Sequence, residues 1–368
     1  MTKSSLLLSC YLFCCLGVVE AYAQVPDWVV YPDQEWQVIT PEEAGIRDVQ
    51  AWNRWVDDTT KIAKGASFQG EDHRGNKWGA AITRGGFLVQ TFGDPDYKFQ
   101  TASGAKAFIQ ACLQLAIDKG LLKSGDELIK SHWTGEGQLN SRHKYMNESH
   151  HNHLTFKHLK NHTGAFPITN GHSWKLYGKN YGQDPPLWAK STRDPDHDNY
   201  AHMKPGTVGQ QYSSGGYWRL AQALTAVWDQ DLKQVMDENL FTHMGIAADD
   251  WDWLPGQVVH DSKDLYPKMP DYGLFVDPPY RVNGHIVRTG GTGVVMSSKD
   301  LARFGLLVAT GGEWKGQRLI SSVVDAGGGN GSAARGYPGV MGSRGDVTTT
   351  IKYTKVPWDL FKDPPKLN

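Results

Sequence analysis

The chain has 368 residues, 39% hydrophobic and 21% charged, with a formal net charge of −1, so it can bury one large core or two moderate ones. The near-neutral balance, with no basic field and no acidic tail, argues against a nucleic-acid partner. Beyond the first 23 residues no segment is apolar enough to span a bilayer.

In chain order, Lys3 precedes an apolar run from Leu6 to Val19, and Ala21-Tyr22-Ala23 forms a small-x-small cleavage site before Gln24. This is the pattern of a secretory signal peptide over residues 1–23, cleaved after Ala23, and it predicts a secreted or periplasmic protein. Three of the four cysteines, Cys10, Cys14 and Cys15, would leave with that segment. Cys112 remains, so no internal disulfide is expected and a buried thiol is its natural role.

Residues 24–40 are rich in Trp and Pro and read as a strap over the surface. Thr40-Pro41-Glu42-Glu43 has the composition of a helix start, with Thr as N-cap, Pro at N1 and acids in the first turn. Val49, Trp52, Trp55 and Val56 supply the apolar face. From Lys77 to Gly93 a hairpin is expected, Trp78–Ile82 against Phe87–Phe92 through Arg84-Gly85-Gly86. It leads by a short loop to a serine at the edge of a sheet.

That serine is the centre of the chemistry. In Thr101-Ala102-Ser103-Gly104-Ala105-Lys106, a serine and a lysine stand three positions apart at the start of a helix. Phe108, Ile109, Cys112, Leu113, Leu115 and Ala116 mark its apolar stripe and Gly120 its stop. Residues three apart share a helix face, and helical side chains lean toward the N-terminus, so the Lys106 amine can reach the Ser103 hydroxyl. A serine hydroxyl is a poor nucleophile without a base beside it, and a lysine is a base only after losing its proton. Lowering its pKa from about 10.4 to near 7 takes roughly 4 to 5 kcal/mol, which burial and a helix start can supply. The N–H groups of the same first turn would form half of an oxyanion hole.

Between Gly120 and Pro205 short helices and long polar loops are expected, with a helix ending in residues 154–164. His143, His150, His151, His153, His158 and His162 fall in this stretch. No pair has the spacing of a helical or finger-type zinc site with a matching carboxylate or cysteine, so they read as solvated surface histidines and no metal is assigned. Tyr212-Ser213-Ser214-Gly215-Gly216-Tyr217 forms a turn presenting Tyr212 and Ser214. A helix follows with Trp218, Leu220, Ala221, Leu224 and Val227 inward, and a second one spans Leu232 to Phe241. The Asp-, Pro- and Trp-rich stretch from Trp251 to Val282 reads as a surface excursion. Gly290–Ser298 is a Gly-rich strand or turn, a helix runs through Leu301, Phe304, Leu307 and Val308, and a late strand is expected at Val347–Tyr353.

Taken in order, these stretches resemble the serine beta-lactamase-related hydrolases, which include class C beta-lactamases, D-amino-acid peptidases and beta-lactamase-like esterases. Ser103-Gly104-Ala105-Lys106 matches the Ser-x-x-Lys nucleophile motif, and Leu154 to Ala165 (LTFKHLKNHTGA) is similar to the family's signature stretch. Tyr212-Ser213-Ser214 resembles the Tyr-x-Asn motif, with Ser214 where the family has Asn. Leu240 to Ile246, Thr289 to Phe304 and Gly312 to Ser321 resemble three further family segments. The family's third motif, Lys-Thr-Gly or His-x-Gly, is not visible in residues 323–368, where Ser343-Arg344-Gly345 is the nearest text; Arg288-Thr289-Gly290 mimics it from the earlier glycine segment.

The resemblance implies an α/β (α+β), beta-lactamase/transpeptidase-like fold: an antiparallel sheet flanked by helices, built from residues 24–106 and 286–368, with a mostly helical domain inserted over 107–285. It implies an acyl-enzyme on Ser103 with Lys106 and Tyr212 managing the proton, substrate contact at Ser214, and no cofactor. The expected activity is hydrolysis of an ester or amide in a small-molecule or peptide-like substrate. The alternative, from the missing third motif, is a catalytically impaired penicillin-binding-like module that holds a cell-wall or peptide ligand. The oligomeric state is left open.

Overall fold

A computed structural model describes residues 25–65, 79–133, 153–164, 204–206, 213–261, 279–321 and 356–367. The main elements in chain order are α1 (Val49–Gly65), β1 (Gly79–Arg84), β2 (Phe87–Gly93), β3 (Phe99–Gln100), α2 (Ala105–Asp118) and α3 (Phe156–Lys160). They continue with α4 (Ser214–Trp228), α5 (Leu232–Met236), β4 (Asp252–Trp253), β5 (Val294–Met296) and α6 (Ser298–Ala309).

The expected hairpin forms, with β1 and β2 antiparallel and Arg84 opposite Phe87. Gly85 and Gly86 both have positive φ, +57° and +89°, which a two-residue turn matched to strand twist requires. The register slips between Ile82 and Thr83, so Ile82 faces Gln90 while Thr83 faces Leu88, a bulge that sharpens the twist. Alternation along β1 divides its side chains between two helices. Ala80 and Ile82 pack with Trp52 of α1 and with Phe87, Val89 and Phe92, whereas Ala81 packs with Leu88, Trp36 and Ala302 of α6.

Thr40 does not start a helix. It caps a turn, its hydroxyl accepting from the Glu43 N–H at 3.2 Å while the Glu43 carboxylate accepts from the Thr40 N–H at 2.9 Å. The turn stops at Gly45, where φ is +79° and any Cβ would lie 1.9 Å from the Asp363 carbonyl oxygen. The C-terminal segment occupies the space a continued helix would need, and α1 starts later, with the Asp48 carboxylate accepting from the Ala51 N–H at 2.8 Å. The strap, described from residue 25, is likewise partly internal. Trp36 and Ile39 are buried, and Val38 pairs with Leu88 beside the hairpin.

A second, three-stranded sheet has the order β3-β5-β4, all antiparallel. It, rather than the hairpin, delivers the chain to Ser103: Phe99 and Gln100 pair with Met296 and Val295, the Thr101 N–H donates to the Val294 carbonyl at 2.8 Å, and a 3₁₀ turn over Ala102–Gly104 opens α2. Here the expected surface excursion at Trp251 fails. Trp251 and Trp253 are buried, Trp253 pairs with Val294, and its indole donates to the Thr289 carbonyl at 2.7 Å. The polar flanks dominate the local composition, but burying two indoles removes a large apolar area from water.

The stripe expected on α2 is buried in full, with Ala105 and Ala111 besides. Phe108 stacks on Phe304 of α6 at 4.8 Å, and Phe241 meets Trp251 edge-on at 4.6 Å in the same cluster. Helix α2 ends as expected, at Lys119 and Gly120, the latter at φ +73°. The helix from Leu232 extends through a π turn over Asp237–Phe241. Helix α4 packs against α2, α3 and α5. Cys112 is a free, buried thiol whose pKa burial pushes up. Among the described residues no helix is long and apolar enough to cross a membrane. The late strand at Val347–Tyr353 lies outside the described residues.

Candidate active site

The site lies where the starts of α2 and α4 meet the glycine turn before β5. Ser103 sits in the 3₁₀ turn, exposed, and Lys106 follows in the first turn of α2 with only 6% of its surface exposed. Ser103 does not cap the helix; Gly104 is the N-cap, with no side-chain cap bond. The Lys106 amine donates to the Gly291 carbonyl at 3.0 Å and to the Ser214 hydroxyl at 3.4 Å. Burial pulls its pKa from 10.5 down to about 7, since a low-dielectric surrounding disfavours the ammonium.

Two glycines make this approach possible. A Cβ at Gly290 would lie 1.9 Å from the Tyr217 carbonyl oxygen, so no side chain fits there. A Cβ at Gly291 would lie 3.1 Å from Ser214 Cβ and 3.2 Å from both Lys106 Nζ and Ser214 Oγ. The bare backbone at this position is what lets amine, hydroxyl and carbonyl converge.

Ser213 is the N-cap of α4, its hydroxyl accepting from the Gly216 N–H at 3.0 Å. Ser214 is therefore the first helical residue and points back to Lys106. Tyr212 lies outside the described residues.

Four participants were missed in the sequence: His162, Tyr217, Gln110 and the Gly291 carbonyl. Tyr217 stands three residues after Ser214 on α4, and the Lys106 amine is 5.5 Å from its ring centre. Its hydroxyl donates to the Lys160 carbonyl at 2.8 Å and accepts from Gln110 Nε2 at 2.6 Å. One phenol thus ties α2, α3 and α4 together. Gln110 is one turn beyond Lys106, and a buried amide in an otherwise apolar stripe is a signal that i, i+4 spacing could have exposed.

His162 overturns the reading of the histidines as surface groups. Only 4% of it is exposed, its ring lies 4.8 Å from that of Tyr217, and its Nδ1 accepts from the Ser213 N–H at 3.0 Å. Burial first, and the Lys106 charge second, lower its pKa to about 4. His158 is half-buried and caps α3, its Nδ1 accepting from the Thr155 N–H at 3.3 Å; His153 is exposed. His143, His150 and His151 lie outside the described residues. Among the described residues no group of three or more His, Cys, Asp or Glu side chains could hold a metal.

Arg288-Thr289-Gly290 does not serve as a displaced third motif. The Arg288 guanidinium pairs with Asp231 at 2.6 Å and donates to the Trp253 carbonyl, and the Thr289 hydroxyl donates to the Thr292 carbonyl at 2.5 Å. These groups brace the turn from behind. Most of the region 323–368, Ser343-Arg344-Gly345 included, lies outside the described residues.

The family model described as Beta-lactamase matches residues 70–348. Among solved structures, the chain is similar to a beta-lactamase/D-alanine carboxypeptidase from Pseudomonas syringae, at 19% identity over 74% of this chain and 68% of that one, with a TM-score of 0.45. It is similar to a penicillin-binding protein homologue from Caulobacter crescentus at 14% identity, covering 74% of each chain, TM-score 0.44. It is also similar to EstCE1, a hydrolase with promiscuous acyltransferase activity, at 13% identity over 76% of each chain, TM-score 0.45. No curated protein matches.

Proposed function

The chain belongs to the beta-lactamase family, and on that premise we propose that it is an exported serine hydrolase that cleaves an ester or amide through an acyl-enzyme on Ser103. The observation that carries this reading is the Lys106 amine: one turn from an exposed serine, buried, and with a pKa of about 7. Half-neutral at physiological pH, it has the acid–base strength a proton shuttle needs. A lysine that merely decorated a helix would sit in solvent and stay charged.

In this mechanism neutral Lys106 takes the Ser103 proton as the oxygen bonds to the substrate carbonyl carbon. The carbonyl π electrons move to oxygen, where the first-turn N–H groups of α2 face the developing charge. Collapse re-forms the carbonyl and breaks the bond to the leaving alcohol or amine, which takes a proton from the Lys106 ammonium or, in our reading, from Tyr212. Water, deprotonated in the same way, then cleaves the ester on Ser103 and restores the enzyme. The Gly291 carbonyl holds the amine in both protonation states, because a neutral amine still donates. Ser214 is assigned to substrate contact beside Lys106. Export rests on residues 1–23, and the division into 24–106 with 286–368 against 107–285 is our domain proposal.

The test is intact-mass analysis of the mature chain after incubation with a fluorophosphonate, an activated ester and a penicillin. The expected result is a covalent adduct with at least one probe, mapped to Ser103 and abolished in Ser103→Ala. An adduct surviving in Ser103→Ala, or no adduct together with measurable reversible binding of a peptide-like ligand, overturns it; the latter outcome selects the binding module.

A further inference from the structure

We propose that His162 is a positioning residue of this site: through Nδ1 it holds the Ser213 backbone N–H, and through the Tyr217 ring it fixes where the start of α4 lies relative to the Lys106 amine. The inference rests on the acyl-transfer reading above and adds to it a residue with no proton-transfer role.

His162 follows α3 in a left-handed conformation, φ +58°. Left-handed backbone of this kind favours Gly, with Asn, Asp and His the side-chain-bearing residues most often found there. The backbone alone therefore accommodates a histidine at this helix end, and an exposed side chain would suffice. Here the ring instead turns inward until 4% of it is exposed. A buried polar side chain is costly unless it is hydrogen-bonded, so what the ring contacts decides its role.

What it does is specific to one nitrogen. The Ser213 N–H stands 51 residues away and points at Nδ1. The Ser213 hydroxyl also accepts from the Gly216 N–H, so its backbone and side chain together set the first turn of α4. The next residue, Ser214, reaches Lys106. The His162 ring lies 4.8 Å from that of Tyr217 at a tilt of 35°, the ring of Tyr217 lies 5.5 Å from the Lys106 amine, and the Tyr217 hydroxyl is committed to Gln110 and Lys160. The chain of contacts His162, Ser213, Ser214, Lys106 closes through Tyr217, and a shift of His162 is passed to the amine from both sides. Because Nδ1 accepts, the ring is neutral with its proton on Nε2, and it holds the turn without adding a second cation beside Lys106.

Asn and Gln separate this role from simple filling of space. Asn places an amide oxygen close to where Nδ1 lies, whereas Gln places one near Nε2. Acylation rate constants with the best probe are measured for wild type, His162→Asn, His162→Gln and His162→Leu, alongside hydrogen exchange of the Ser213–Gly216 amides. His162→Leu should acylate on the order of 10²-fold more slowly, the scale of a misplacement near 1 Å, with faster exchange at Ser213. His162→Asn should recover to within about fivefold of wild type on both readouts, and His162→Gln should not. If His162→Leu does not fold, the Asn and Gln comparison decides alone. Wild-type acylation rates in His162→Leu, or an Asn variant no faster than Gln, overturn the inference while Ser103 acylation stands. No adduct on Ser103 in the wild-type chain overturns both.

Discussion

Lys106 and Arg303 are both buried cations, and the regions around them differ in kind. Arg303 of α6 is 2% exposed, and its guanidinium donates to the carbonyls of Pro32 at 3.3 Å, Gln34 at 2.6 Å, Met244 at 3.2 Å and Asp33, with Asp300 3.6 Å away. Burial lowers its pKa while neighbouring carboxylates, Asp300 first, raise it. A guanidinium stays charged under such conditions. It is a brace, fastening the N-terminal strap and the turn at Gly245 onto α6. Lys106 is held by a carbonyl and a hydroxyl, and its pKa falls to about 7. An Arg in a ring of carbonyls keeps its proton and holds structure together; a Lys in a dry corner gives its proton up.

The sharpest way to break this contrast is Lys106→Met, which keeps the length and removes the amine. Acylation of Ser103 should fall by about 10² to 10⁴-fold, the worth of a positioned base, and a variant with wild-type rate ends the base assignment. Wild-type kcat/KM should lose about tenfold per pH unit below about 7, as the amine becomes protonated. Stability moves too. The unfolded lysine keeps its proton up to about 10.5 and the folded one only below about 7, so between these values the unfolded chain binds more protons and wild-type stability rises with pH. Below about 7 the full penalty, roughly 5 kcal/mol, remains. Urea midpoints measured across pH 6 to 10 should therefore climb in the wild type relative to Lys106→Met.

Arg303→Met tests the other side. Four carbonyls and Asp300 would lose their buried donor, a change that costs about 3 to 5 kcal/mol. The urea midpoint should drop accordingly, while the acid limb of kcat/KM near pH 7 stays where it is. A stable variant would mean that Arg303 is no brace, and a displaced acid limb would mean that the two regions are coupled.

What could be read from the sequence follows the same division. Helix α2 with its stop at Gly120, the hairpin turned at Gly85-Gly86 and helices α4 and α6 depend on local periodicity and turn chemistry, and all appear near their expected places. Ser103, Lys106 and Ser214 were proposed from spacing and resemblance, and the fold brings the Lys106 amine within 3.4 Å of the Ser214 hydroxyl. His162 could not be: the same letters after a short helix describe a solvated histidine, and its inward turn depends on one φ value and on a residue 51 positions away. The Gly291 acceptor is a backbone oxygen and has no letter of its own. Trp251 and Trp253 were misplaced for the opposite reason, because polar neighbours outweighed them in the local pattern while long-range burial decided their position.

The smallest expected effect concerns which partner holds the Lys106 amine. The Gly291 carbonyl is at 3.0 Å and the Ser214 hydroxyl at 3.4 Å, a length at which a hydrogen bond is already weak. If the carbonyl does most of the holding, Ser214→Ala costs no more than an ordinary neutral hydrogen bond, about 0.5 to 1.5 kcal/mol or a few-fold to tenfold. That loss should appear in KM, through substrate contact, with the acid limb near pH 7 unmoved. An acid limb that shifts by a full pH unit in Ser214→Ala would show instead that the hydroxyl, and not the backbone of Gly291, sets the state of the amine.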